Sequence, residues 1–214
     1  MRIGLCIYDQ CSIQEISLLI SILSLDFGQK IDYLASEQAV IQSEEGLLIM
    51  PTHSFDEVDP LDYDCLILTG TMNPLKSVYD ERLIAFLREV DTEKTLLAAI
   101  SSSVMFVAKA GLLKGKDYTG GLYMNFVNHF DFLDEEHFKP SPILVSDRVI
   151  TAMGFGARKF AIAVLRGLGF EVSDRCGILP EDRYTEEELR FYFSPEIWQE
   201  VLADIQQYER KRGG

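Results

Sequence analysis

The chain has 214 residues, 47% of them hydrophobic and 25% charged, which fits one large α/β domain or a domain with an appendage and is enough to bury a full core. Acidic side chains number 34 against 20 Lys and Arg, and the net charge of −14 argues against nucleic-acid and anionic-membrane partners, whose binding relies on basic residues. Cys6, Cys11, Cys65 and Cys176 show no CxxC spacing and no matching histidine pair, so neither a zinc site nor a disulfide framework is expected, and no cofactor is implied.

Along the chain, Arg2–Tyr8 is apolar and β-branched enough for a buried first strand. Ile13–Phe27 repeats apolar residues at Ile16, Leu19, Ile20 and Leu23, the spacing of a helix with one buried face. Ser12 to Glu15 fits a capping box, with Ser12 as N-cap and Glu15 at the third helical position. Ile16–Leu25, the most apolar stretch, is interrupted by serines and too short to span a bilayer. MRIGLCIYDQ lacks the long apolar region of a secretory signal, and a reducing cytoplasm is the expected location.

Lys30–Ala35 reads as a second strand, and Val40-Ile41 with Leu47–Met50 as a small hairpin across Glu44-Glu45-Gly46. Asp64–Leu68 is another short buried strand ending in Thr69-Gly70-Thr71, and Asp80 caps a helix through Val90. Thr95–Ile100 then has the length of a buried strand, Ser101, Ser102 and Ser103 follow, and Val104, Val107, Ala108 and Leu112 recur at helical spacing. A strand that turns this abruptly into a helix aims one side chain and several free N–H groups at one point, as a nucleophile elbow does. The same residues also suit a plain serine-capped helix behind a core strand.

After a turn at Lys114–Lys116 and a short extended pair at Tyr118-Thr119, Leu122–Leu133 carries Tyr123, Phe126, Phe130 and Phe132. That segment reads as a helix near the site, its aromatics read as packing residues, and Asp131–Glu136 as a solvated turn. Ile143–Val145 and Val149–Ala152 form a hairpin, and Gly154-Phe155-Gly156 opens a helix over Ala157–Leu168. Thr185–Glu188 is a further capping-box match, and Ser194-Pro195 starts a terminal helix with proline at its first position.

Alternating strands and helices imply a mainly parallel sheet covered on both faces, with ligands bound beyond the carboxyl ends of the strands. The loops Asp9–Glu15, Thr69–Met72, Ser101–Ser103 and Gly154–Gly156 then share that edge, bringing Glu15, Gly70, Thr71, Ser101 and Ser102 within reach of one another.

The segments LTGT (68–71), AAISSS (98–103), AKAGLLKGKDYT (108–119) and ITAMGFGARKFAIAVLRGLGF (150–170) resemble the ThiJ/PfpI family. This is the family of the parkinsonism-associated deglycase and the PfpI-type intracellular proteases, within the class I glutamine-amidotransferase-like superfamily. The likeness covers residues 1–170 and leaves 171–214, expected to be a helical extension packed on the same domain. It implies a flavodoxin-like α/β three-layer sandwich, a homodimer and a small-molecule ligand or substrate. It also implies a site in which the family's cysteine falls on Ser101 and its acidic partner on Glu15. Gly70 and Thr71 fall on the loop that donates to an oxyanion, with the Ser102 N–H as a second donor.

A serine needs a positioned base where a cysteine can offer a thiolate. Glu15 is the evident one. Cys11, in the first strand's exit loop, reads as an inert buried thiol, and His129 as the nearest thing to a histidine base. Two functions suit the pattern: a hydrolase-type activity on small carbonyl, acyl or amide compounds, and a non-catalytic ligand-binding or regulatory homodimer. A glutaminase is a weaker third, since the cysteine and histidine of that chemistry are missing.

Overall fold

The structure, a computed structural model, describes residues 1–177, 194–201 and 203. By its contacts the chain divides into Met1–Gly177 and Ile178–Gly214. In the first unit, strands β1 (Ile3–Cys6), β2 (Ile31–Ala35), β5 (His53–Ser54), β6 (Cys65–Leu68), β7 (Leu96–Ile100), β8 (Ile143–Ser146) and β9 (Val149–Ala152) build one sheet. Its order is β5-β2-β1-β6-β7-β9-β8. Every pairing is parallel except that of the edge hairpin β8–β9. Ile41–Gln42 (β3) and Leu48–Ile49 (β4) form a separate antiparallel ribbon.

Strands β1, β6, β7 and β9 are buried along their whole length, so they read as unbroken apolar runs rather than alternating ones. The crossover from β1 to β2 runs one way along the sheet, and those from β6 to β7 and β7 to β9 run the other. Right-handed connections therefore put α1 (Ser17–Ser21) on one face and α3 (Glu81–Arg88) and α4 (Val104–Lys109) on the opposite one. The packing agrees: α1 lies against α6 (Ala157–Gly167), while α2 (Pro74–Val78), α3 and α4 pack with one another. This is the flavodoxin-like three-layer arrangement the sequence implies.

Several expectations need correction. The first helix does not span Ile13–Phe27: residues 13–16 form turns, α1 covers Ser17–Ser21, and a π-helical turn covers Ile22–Asp26. Ser12 is no N-cap, since its hydroxyl is buried and unpartnered while its carbonyl accepts from Thr69 Oγ1 at 2.5 Å. The entering amides are satisfied from a distance instead, because Glu45 Oε1 on the β3–β4 ribbon accepts from both Ile13 N–H and Gln14 N–H at 2.8 Å. The aromatic segment after Gly121 is helical only over Met124–Val127 (α5), and Tyr118 makes an isolated bridge to Phe138. Neither α2 nor β5 was expected from the sequence: β5 has only two residues, and α2 is a single short turn opened by Pro74.

Asp80 caps α3 as expected, its Oδ1 accepting from Arg82 and Leu83 N–H. In the second unit, residues 195–201 are helical, with Ser194 as N-cap and Pro195 first. Most of the expected extension, and the Thr185–Glu188 capping box with it, lies outside the described residues.

Those two amides hold Glu45 ionised, its carboxyl pulled below its usual range by the Gln14 and Ile13 N–H groups and the Ser43 hydroxyl against a burial cost. A group lowered in this way adds stability above the ordinary carboxylate pKa and loses it as pH falls through the lowered value. Glu45→Ala is expected to cost about 1 kcal/mol, the worth of a lost cap. For a chain of this size that is a fall of roughly 2–4 °C in thermal midpoint at neutral pH. Glu45→Gln, which keeps an acceptor, should recover most of the loss in the same melting experiment.

Candidate functional site

The site lies at the carboxyl edge of four strands adjacent in the sheet, β1, β6, β7 and β9, beside the point where the strand order reverses. Their exit loops supply Glu15, Gly70, Ser101 and Gly154, as the expected strand directions require. Ser101 follows β7 directly with φ of +62°, in the left-handed region, and opens a 3-10 turn (Ser101–Ser103) that runs into α4. For a residue with a β-carbon that conformation costs on the order of 1–2 kcal/mol, and here the packed strand before it and the buried α4 behind it impose it.

Three glycines close around the Ser101 hydroxyl. A β-carbon on Gly70 would stand 2.8 Å from Ser101 Oγ and 2.5 Å from Glu15 Oε2. One on Gly121 would stand 2.9 Å from Ser101 Oγ, and one on Gly154 2.5 Å from Glu15 Oε1 and 3.4 Å from Ser101 Oγ. Hydroxyl and carboxyl therefore share one crevice whose walls are bare backbone. No larger residue fits at these positions without displacing one of the two groups. Sequence reasoning singled out Gly70 but missed this role for Gly121 and Gly154, whose only signal was their place in Gly120-Gly121 and Gly154-Phe155-Gly156.

Glu15 is mostly buried. Its Oε2 accepts from Gly70 N–H at 2.8 Å. Burial pushes its carboxyl above the ordinary range, opposed by the Ser101 hydroxyl, the Gly70 N–H and the Thr69 side chain, with a further push upward from Glu44. The loop that presents Gly70 is tied down on every side. Tyr8 donates its hydroxyl to Thr69 C=O, Ser12 N–H donates to Gly70 C=O at 2.8 Å, and Ser103 donates to Leu68 C=O at 3.1 Å.

The expected oxyanion donors are arranged differently. The Gly70 N–H is taken by Glu15. The Thr71 N–H donates to Ser102 Oγ at 3.0 Å, and that hydroxyl returns a bond to Thr71 C=O at 3.1 Å. Two of the three amides named from the sequence thus already have acceptors, leaving Ser102 N–H at the start of the turn.

A cavity of about 320 Å³ opens over Ser101 and is lined by Met72, Leu75, Ser102, Met105, Tyr123 and Phe126 among others. Tyr123 and Phe126 therefore line this cavity, and Phe126 also packs against the core and on the Phe130 ring. His129 is exposed, packs its ring on Phe130 and does not line the cavity. Cys11 is buried, and burial lifts its thiol to about 11. No cluster of side chains suited to a metal ion occurs among the described residues, and no helix there is long and apolar enough to cross a membrane. A larger hollow of about 740 Å³ beside α6 and the β8–β9 hairpin contains no residue of the four loops.

The model of the DJ-1/PfpI family matches residues 1–166. Among curated proteins, deglycase PfpI of Pyrococcus furiosus is 31% identical over 108 residues, 49% of this chain and 65% of that protein. A deglycase of Pyrococcus horikoshii is 28% identical over 88 residues, 41% of this chain and 53% of its own length. The chain thus aligns with less than two thirds of either relative. Among solved structures, a DJ-1 superfamily protein of Agrobacterium tumefaciens superposes with a TM-score of 0.71 at 20% identity, covering 97% of this chain and 99% of that one. DJ-1 of Schizosaccharomyces pombe gives 0.65 at 15% identity, covering 78% and 90%. These structural likenesses show the fold.

The positive φ at Ser101 can be tested apart from its hydroxyl. Both Ser101→Ala and Ser101→Gly remove the oxygen, but only glycine relaxes the backbone. The glycine variant is therefore expected to be more stable than the alanine variant by about 1 kcal/mol or more in chemical denaturation. An alanine variant more stable than the glycine variant by about 0.5–1 kcal/mol, the entropy cost of glycine alone, would show an unstrained turn.

Proposed function

The chain belongs to the DJ-1/PfpI family, and from that premise we propose that it is a hydrolase- or deglycase-like protein acting on small carbonyl, acyl or amide compounds at Ser101. The observation that carries this reading is the pairing of a hydroxyl on a strained turn with a buried, raised carboxyl in one glycine-walled crevice. Strain of this kind persists where the surrounding structure over-determines it, and such places are often sites of chemistry. The deglycase names of the curated relatives point the same way.

In this reading Ser101 Oγ adds to the substrate carbonyl carbon while its proton passes to Glu15, and the carbonyl electrons move onto oxygen. The Ser102 N–H supports that oxygen. With an acyl or amide substrate, collapse of the adduct breaks the bond to the leaving group, which takes the proton back from Glu15. Water then adds to the acyl-serine by the same route and releases the acid. With an aldehyde or ketone, which has no leaving group, the addition stops at a reversible hemiacetal or hemiketal. A carboxylate is a weak base for an alcohol, and its raised pKa moves it in the useful direction. The resemblance in motif order implies that Ser101 falls where the family has its cysteine, and on that reading the oxidation chemistry of a thiol has no counterpart here.

The engaged Gly70 and Thr71 amides favour a second reading. In it the chain is a ligand-binding or regulatory homodimer that keeps the pocket without turnover. The two separate cleanly. Under the enzymatic reading a fluorophosphonate probe labels Ser101, and the labelling rate rises with pH through a midpoint above the ordinary carboxylate range as Glu15 loses its proton. Glu15→Gln should remove that rise and slow labelling by about 10²–10⁴-fold, the usual worth of a general base. No adduct on Ser101 by peptide mass, with no turnover across ester, amide and glyoxal substrates, would leave only the binding reading.

A further inference from the structure

We propose that the cavity over Ser101 selects uncharged carbonyl or acyl compounds bearing an aryl or alkyl group and rejects those bearing a carboxylate or phosphate. The inference rests on reading that cavity as the substrate site. Its walls away from Ser101 are Met72, Leu75, Met105, Leu122, Tyr123 and Phe126, a set without a formal charge. The polar residues of the lining, Thr71, Asn73, Ser101 and Ser102, are neutral as well.

The cations nearest along the chain are committed elsewhere. Lys76, next to Leu75, pairs with Asp9 at 2.9 Å. Lys109, at the end of α4, donates to Val78 C=O at 2.7 Å and lies over the Tyr79 ring. An anionic group entering the cavity would give up water for uncharged walls, with no counter-charge to offset the loss and the Glu15 carboxyl close by. The net charge of −14 adds an unfavourable field on approach.

The same walls suit an apolar group. Met72 and Tyr123 are 67% and 76% exposed at the cavity, so a ring or alkyl chain seated there would cover surface now in contact with water. Methionine and aromatic side chains are apt for this, being polarizable and able to pack edge or face against a ring. A volume of about 320 Å³ accommodates one ring together with its carbonyl group.

The test compares two ligands with one aryl ketone and one difference in charge, 1-phenyl-1,2-propanedione and phenylglyoxylate. Binding is measured by calorimetry on the full chain and on Ser101→Ala, so that selectivity is read without turnover. The diketone is expected to bind at least about tenfold more tightly than the acid in both proteins, tenfold being about 1.4 kcal/mol. Tyr123→Ala should weaken the diketone severalfold and leave the acid unchanged. Met72→Arg, which places a cation at the mouth, should narrow or reverse the preference.

Equal or tighter binding of phenylglyoxylate would overturn the proposal. So would a failure of both compounds to bind, or diketone binding that Tyr123→Ala leaves untouched. Neutral selectivity without a covalent adduct on Ser101 would instead uphold this inference and remove the catalytic one.

Discussion

The constraint on which the rest of the site depends is the burial of one carboxyl group among main-chain atoms. Glu15 sits where β-carbons on Gly70 and Gly154 would collide with its two oxygens, and it accepts from the Gly70 N–H. A carboxyl in such a place is partly stripped of water and returns some of that cost through a few directed interactions. One of those partners is the hydroxyl of Ser101. The position of the carboxyl therefore fixes the chemistry of the serine, and the strained turn at Ser101 fixes the position of the hydroxyl.

Much of the fold follows from holding those two groups in place. Strands β1, β6, β7 and β9 are buried throughout and adjacent in the sheet, so their exit loops converge with little freedom. The ribbon β3–β4 adds a support from outside the sheet, since Glu45 caps the turn that leads into Glu15. Tyr8, Ser12 and Ser103 fasten the loop carrying Gly70 from three directions. The site is thus held by contacts between residues far apart in the chain.

That is also why only part of it was legible in the sequence. The fully apolar runs of β6 and β7 and the abrupt change at Ser101–Ser103 are local signals, and they marked strand, turn and helix. The convergence of four loops followed from alternation alone. The failures are non-local. Ser12-Ile13-Gln14-Glu15 has the letters of a capping box, but Gly70 and Ser101 claim Glu15, and Glu45, about thirty residues downstream, claims the amides. Gly121 and Gly154 look like ordinary turn glycines until Ser101 and Glu15 are set against them. Tyr123 and Phe126 carry no mark that separates a cavity wall from a core. The amides of Gly70 and Thr71 could be placed near the site from motif order, yet their acceptors depend on rotamers of Glu15 and Ser102 that no spacing encodes.

The most direct measurement is the titration of Glu15 itself, followed by the side-chain carboxyl carbon signal in labelled protein and assigned with Glu15→Gln. The account predicts a midpoint above the ordinary glutamate range, moving higher still in Ser101→Ala, where the hydroxyl that favours the ionised form is gone. A midpoint at or below the ordinary value, unchanged by Ser101→Ala, would show that the carboxyl and the hydroxyl do not share a site.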